Sequence, residues 1–353
     1  MVQRLTNELR RDYLLDRWVI FAPRRAKRPF DYAAPTSKAE VKLCVFCPKH
    51  ENLTPPARLL YVPEDAEILR LRDRGRQRRS DWLVRCIPNL YPALRGSENG
   101  SPSLEKQSGF PHISRRAIGA HLIIVESPRH DDHPHQASQR QIELWLRAAI
   151  DLINELERTK YSKSVALFRN HRREAGASIA HAHSQIIATP IIPARIEQEY
   201  RAMKKFHSEE GSCALCRIRA TETKSERKIL DLRNFTVFAP WASIFPFEFW
   251  IVPKRHSPRI VGLSHDEIKD LSATIQLSFR ALAKVLSDPP YNAIFHQSPS
   301  KSHDDAYHWH VEVYPKLSIH AGFELGTGTY INTLKPEIAA AALVSTAREE
   351  TVN

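Results

Sequence analysis

Apolar and polar positions along this chain follow two periods. Residues 138–158, SQRQIELWLRAAIDLINELER, space their apolar side chains at helical intervals, and Ser138 stands where an N-cap belongs. A second helix is predicted over 263–286, LSHDEIKDLSATIQLSFRALAKVL. Elsewhere short apolar runs read as strands. They include the end of RRDYLLDRWVIFA, the start of DWLVRCIPNLYPAL, AIGAHLIIVESPRH, SVALFRN and, in the C-terminal half, FPFEFWIVPKRH, YNAIFHQSPS and YHWHVEVYPK. Prolines and glycines mark the joints, as in the proline-bounded NLYPAL loop and the short loop HRREAGAS.

One strand breaks the expected alternation. In SIAHAHSQIIATP, residues 178–190, His181, His183 and Gln185 occupy every second position, so three nitrogen-bearing side chains share one face. The order of elements also repeats. CVFCPK is answered by CALCRI, and GAHLIIVESPRH by FPFEFWIVPKRH. In the first copy the landmarks are Cys44, Cys47, His130 and His181; in the second they are read as Cys213, Cys216, His256 and His310. From strand-end histidine to late histidine there are 51 residues in one copy and 54 in the other. Four landmarks in the same order argue for an internal duplication. Its boundary is expected near 195–205, giving units 1–197 and 198–353.

Two cysteines and two histidines per copy are the donors of a closed tetrahedral zinc site, with no position left for water. Both sites are therefore read as structural Zn²⁺ clamps. Five cysteines, four of them in C-x2-C pairs and with no leader segment ahead of them, point to metal rather than disulfides and to a cytoplasmic compartment. With His181 on the metal, His183 keeps a free ring nitrogen suited to attack on phosphorus. Gln185 can donate to a phosphoryl oxygen, and Arg25, Arg28 and Ser178 can neutralise or bind the rest. The second copy, aligned on His310-Val311-Glu312, places a carboxylate where the first has His183, which fits one catalytic centre per chain.

Composition narrows the partners. Across 353 residues the formal net charge is +12, which favours an anionic partner. The densest basic run, RLRDRGRQRR at 70–79, reads as a solvated loop or ribbon, or as a polyanion contact. No apolar run is long enough to span a bilayer. A nucleic-acid binder with two zinc knuckles would explain the charge and the metal, but it leaves His183 and Gln185 without a task. A nucleotide hydrolase using the same histidine is a third reading.

The segments RWVIFAPRRAKRP, CVFC, NLYPAL, ESPRH, FRN with GAS, HAHSQI, HWHVEVYP and ELGTGTYIN together resemble the galactose-1-phosphate uridylyltransferase family of the histidine-triad (HIT) superfamily, and the related ADP-glucose phosphorylase. The resemblance covers nearly the whole chain. It implies an α+β fold of two tandem HIT-like units, each an antiparallel sheet with packed helices. It implies that His183 attacks the α-phosphorus of a nucleotide sugar, that sugar 1-phosphate leaves, and that a second sugar phosphate or inorganic phosphate takes the nucleotide. By the same resemblance, zinc falls on Cys44, Cys47, His130 and His181. Nucleotide and phosphate contacts fall on Arg25, Arg28, Asn89, Asn170, Ser178 and Gln185, and the sugar segment on Gly326, Thr327 and Gly328. UDP-glucose–hexose-1-phosphate uridylyltransfer is the favoured activity, with ADP-glucose phosphorolysis the alternative. Family members are commonly dimers, so a homodimer is compatible with the resemblance. The chain departs from the best-known transferases at Ala177, Ala182 and Ser184, where they carry cysteine, proline and glycine. Glu199 sits at the offset of their glutamate metal ligand, but the Cys/Cys/His/His set is already complete without it.

Overall fold

The computed structural model describes residues 7–27, 43–65, 67–75, 77–96, 111–114, 116–299 and 305–352. It is an α+β fold. The first half contributes β1 (Glu8–Arg11), β2 (Trp18–Phe21), β3 (Leu59–Glu64), β4 (Glu67–Leu71), β5 (Val84–Pro88), β6 (Ala120–Val125), α1 (Gln139–Glu157), β7 (Ser164–His171) and β8 (His183–Thr189). After α2 (Ala194–Glu210) and α3 (Ala214–Glu222) come β9 (Lys228–Asp231), β10 (Phe235–Phe238), β11 (Phe249–Pro253), α4 (His265–Leu286), β12 (Tyr291–His296) and β13 (His310–Pro315). The chain closes with α5 (Gly322–Thr327), β14 (Tyr330–Asn332) and α6 (Pro336–Val352).

Both long helices fall where the spacing predicts them. The Ser138 hydroxyl accepts from Gln141 N at 3.1 Å and starts α1. Ser264 and Glu267 close a reciprocal capping box on α4, which satisfies amide groups that the first turn would otherwise leave unpaired. Eleven strands form one sheet in the order β4-β3-β5-β6-β8-β7-β12-β13-β11-β10-β9, every neighbouring pair antiparallel. A small sheet, β1-β2-β14, joins the two ends of the chain.

The two halves meet inside the large sheet, where β7 pairs with β12 and Asn170 stands opposite Asn292. The 195–205 boundary expected from sequence falls within α2. Helices α1 and α4 lie side by side over one face, and a single apolar cluster runs through both halves beneath them, from Leu122, Ile124 and Ile186 to Phe295, Val311 and Val313. Each such buried side chain contributes about 1.5–3 kcal/mol, so the core fixes which residues of each strand point away from it. The opposite face receives His183 and Gln185 of β8, Asn170 of β7, Asn292 and His296 of β12, and His310 and Glu312 of β13.

Among the described residues no helix is long and apolar enough to cross a membrane. The arginine-rich run forms the β4 edge and the turn after it. Arg70 is paired with Asp151, Arg78 with Asp73 and Arg79 with Asp81, and Arg58 on the neighbouring strand is paired with Glu155.

Candidate functional site

The first cysteine pair sits in a tight turn, Cys47 N bonding to Cys44 O, which aims both sulfurs at the end of β6 and the start of β8. Cys44 Sγ lies 3.6 Å from His181 Nδ1, and Cys47 Sγ lies 3.5 Å from both His181 Nδ1 and His130 Nδ1. Sulfur and nitrogen donors held at about 2.3 and 2.0 Å by one tetrahedral ion stand about 3.5 Å apart, so the donor set fits zinc. The other nitrogen of His181 faces the Ser127 carbonyl at 2.8 Å, the outer bond that orients a metal-binding imidazole. Burial holds His181 below its ordinary value and so in the neutral, metal-binding form.

His183 opens β8 on the face opposite α1 and α4 and is buried there. Its Nδ1 is 2.7 Å from the His181 carbonyl. A carbonyl only accepts, so Nδ1 carries the proton and Nε2 keeps its lone pair. Among the described residues nothing bonds to that Nε2. Burial pushes His183 down to about 4 against the pull of its carbonyl bond, and the Arg169 charge adds to the fall. Phe46, carried on the cysteine turn, meets the imidazole edge-on with centroids 5.5 Å apart. The cysteine turn therefore also holds the His183 ring in place.

Gln185 follows two residues on, its Oε1 2.7 Å from His121 Nε2. Asn89 Nδ2 approaches the same nitrogen at 3.1 Å. Neither the role of His121 nor that of Asn292 was read from sequence. Asn292 donates to Asn170 Oδ1 at 2.9 Å and to Ala175 O at 2.8 Å, so the second half holds the loop that leads into β8. The signal for His121 was present: GAHLII places one polar ring on the otherwise apolar outward face of β6.

The departures at Ala182 and Ser184 have local causes. Ala182 N donates to the His130 carbonyl at 3.2 Å, a bond that proline could not make. Ser184 points to the covered face and accepts from Trp145 Nε1 at 2.8 Å.

The second copy requires a correction. Cys213, Cys216 and His256 gather with His308, not His310. The His308 Nδ1 lies 3.7 Å from Cys213 Sγ and 3.2 Å from Cys216 Sγ, and His256 Nδ1 is 3.6 Å from Cys216 Sγ. His310 is instead the first residue of β13, with Nδ1 3.2 Å from the His308 carbonyl, as His183 stands to His181. The true register is thus His308/His310/Glu312 against His181/His183/Gln185. The second copy keeps the imidazole and changes the glutamine. Strand alternation puts both histidines of H-x-H on one side and cannot choose between them. The 52-residue interval from His256 to His308, close to the 51 of the first copy, is the better guide.

A charged network surrounds His310. Glu312 lies 3.3 Å from His310 Nε2, accepts from the Tyr314 hydroxyl and pairs with Arg195 at 3.1 Å. Arg195 also reaches Glu199 at 2.6 Å, and His296 Nδ1 lies 2.9 Å from the same carboxylate. Burial opposes charge on His296, yet Glu199 and Glu312 raise it. Burial likewise opposes charge on Glu312, but His296 and then Arg195 hold it low, at about 2. Glu199, His296 and His310 form a third group of converging donors, but the guanidinium already occupies the carboxylate and balances its charge.

The remaining expected residues are more dispersed. Ser178 is exposed in the loop before β8, and Arg25 is exposed in the helical turn Pro23–Lys27. Arg28 lies outside the described residues. Gly326 is exposed on α5, while Thr327 and Gly328 line a cavity of about 600 Å³ with Arg17, Arg195 and Arg201, which His183 does not line.

Three comparisons bear on this arrangement. A sequence family described as "Domain of unknown function (DUF4921)" matches residues 135–351. The chain is 35% identical to ADP-glucose phosphorylase of Arabidopsis thaliana over 350 residues, covering 96% of this chain and 93% of that protein. It is 29% identical to galactose-1-phosphate uridylyltransferase of Thermotoga maritima over 348 residues, covering 96% and 98%. Among solved structures, the Arabidopsis ADP-glucose phosphorylase with bound ADP-glucose superimposes with a TM-score of 0.79 at 33% identity, covering 96% of this chain and 99% of that one.

Proposed function

We propose that this chain, which belongs to the galactose-1-phosphate uridylyltransferase family together with ADP-glucose phosphorylase, transfers a nucleoside monophosphate from a nucleotide sugar through His183. One observation carries the reading: the His183 Nδ1 bond to the His181 carbonyl, which leaves Nε2 of this buried imidazole unprotonated. That lone pair attacks the α-phosphorus. A phosphorus–nitrogen bond forms, the bond to the bridging oxygen breaks, and sugar 1-phosphate leaves with the electron pair. An oxygen of the acceptor phosphate then attacks the same phosphorus and releases His183. Gln185 and Asn170, on the same face, donate to the phosphoryl oxygens, and Arg25, Arg28 and Ser178 complete the phosphate contacts. Donors placed where charge develops speed such a transfer without protein rearrangement.

Zinc would sit at Cys44/Cys47/His130/His181 and at Cys213/Cys216/His256/His308, where it ties each knuckle to its strands. In the second copy Glu312 stands where the first has Gln185 and is already paired with Arg195, so it offers His310 no amide donor for a phosphoryl oxygen.

Adenylyl transfer from ADP-glucose to phosphate is the activity we favour, on the greater identity to the phosphorylase. Uridylyl transfer between UDP-glucose and a hexose 1-phosphate, which the sequence motifs favoured, is the second reading. It is supported by the nearly full-length match to the Thermotoga protein. The test is a matrix of ADP-glucose and UDP-glucose, each labelled at the α-phosphorus, against phosphate and galactose 1-phosphate. Wild-type protein quenched in base carries acid-labile label, and His183→Ala carries none. Label that persists in the variant would remove His183 from the mechanism.

A further inference from the structure

We propose that His121 is a positioning residue that fixes which end of the Gln185 carboxamide faces the reacting phosphoryl group. The inference rests on the nucleotidyl-histidine reading of His183.

The bonds to Ala93 and Gln185 select one tautomer of this ring. His121 Nδ1 receives the backbone N–H of Ala93 at 3.2 Å. The ring proton must therefore sit on Nε2. Nε2 in turn faces Gln185 Oε1 at 2.7 Å and donates to it. With its oxygen engaged there, the Gln185 amide turns its NH2 away from His121. His183 lies two residues back on the same strand and face. The NH2 is the end that can bind a phosphoryl oxygen; the oxygen end would repel it. A free glutamine amide has no such preference, because the two orientations differ only in which atom meets the ligand.

The tautomer is itself set by the loop at 89–93. Asn89 N donates to the His121 carbonyl at 2.9 Å, and Asn89 Oδ1 accepts from Tyr91 N at 2.9 Å. The Asn89 NH2, 3.1 Å from a ring nitrogen that already bears a proton, finds no acceptor there and is left for a ligand. Gly119 keeps this part of β6 close to β8: a Cβ at that position would come within 2.3 Å of the Ala188 carbonyl oxygen. The relay thus runs from loop to ring to amide, and its last member faces the substrate.

The experiment measures single-turnover labelling of the full-length protein by α-labelled ADP-glucose, and in parallel by α-labelled UDP-glucose. His121→Gln keeps a side-chain N–H near the Nε2 position and should label within about threefold of wild type. His121→Ala frees the amide and should slow labelling about tenfold. His121→Glu offers only acceptors, turns the amide around and should slow it about a hundredfold, in the range for a lost or reversed transition-state donor. Half-saturating nucleotide sugar should change less than the rate in each case. In a Gln185→Ala background, His121→Ala should add nothing, because the pathway through the amide is already gone.

A ring that merely supports the fold would instead make the alanine and glutamate variants alike and additive with Gln185→Ala, and that result overturns the proposal. Labelled wild type with all His121 variants unchanged overturns it too and leaves the His183 reading standing. Unlabelled wild type with either donor overturns both.

Discussion

The imidazole at 183 is useful because three neighbours treat its atoms differently. A carbonyl takes the Nδ1 proton, Phe46 takes a ring edge, and burial keeps the second proton off. On the far side of the same strand, Ser184 is equally committed. It accepts from Trp145 Nε1 and helps to hold down the buried Glu126, which Arg169 pairs at 3.1 Å. Removing that hydroxyl strands an indole N–H in an apolar core. Ser184→Ala should therefore cost about 1–3 kcal/mol of stability. A denaturant midpoint equal to wild type would show that the indole finds another acceptor. The chain's departure from glycine at this position is then a matter of how α1 is seated, not of how phosphate is bound.

At the scale of elements, the cysteine turns and the H-x-H starts of β8 and β13 form one device used twice. In each copy the first histidine precedes the strand and turns to the sulfurs, while the second begins the strand and lies on its face. His308→Ala should accordingly remove one equivalent of zinc, while His310→Ala should keep both, as read by metal analysis of purified protein. Zinc loss in the second variant alone would restore the register expected from sequence. Much of this device was legible beforehand, because C-x2-C spacing, helical period and N-cap serines are local signals. The choice between His308 and His310 is not settled by strand alternation, which puts both on the same side; only the interval from His256 separates them in the sequence. Asn292 escaped because it acts across strands distant in sequence and belongs to no motif, while His121 showed only as one polar ring in an apolar strand. Thr327 and Gly328 show the opposite case, part of a recognisable segment that the fold lines up with Arg17 and Arg201 instead of with His183.

On the scale of the whole molecule, the halves are joined by a shared sheet and also by a partly buried cluster at one end of it. There the 131–135 loop of the first half meets the end of β7 and the turn between α4 and β12, with His171 and Arg169 buried, His133, His135 and Asp288 half-buried and Arg172 exposed. His171 Nε2 lies 2.8 Å from Asp288 Oδ1, His135 Nδ1 lies 3.8 Å from it, and Arg172 pairs with Asp288 at 2.6 Å. Arg172 and Asp288 both adopt positive φ, 66° and 58°, an unfavourable conformation for side chains of their size that the ion pair helps to hold. Arg169 donates to His133 Nδ1 at 2.8 Å, so a second proton on that ring would face a guanidinium. Burial first, then the positive neighbours, push His133 down to about 2; burial also lowers His135 and His171, with Asp288 opposing. In the unfolded chain these rings titrate near 6.5. Below that pH the unfolded state binds protons that the native state refuses, so stability falls as pH falls. The slope reaches about 1.4 kcal/mol per pH unit for each ring that stays neutral. Burial also lowers His181 and His308, which contribute with the same sign, so the informative quantity is a difference. His133→Asn keeps an acceptor for Arg169 but cannot titrate. Melting temperature should drop less between pH 7 and pH 5 in this variant than in wild type, and equal drops would mean that His133 is protonated in the native protein at little cost.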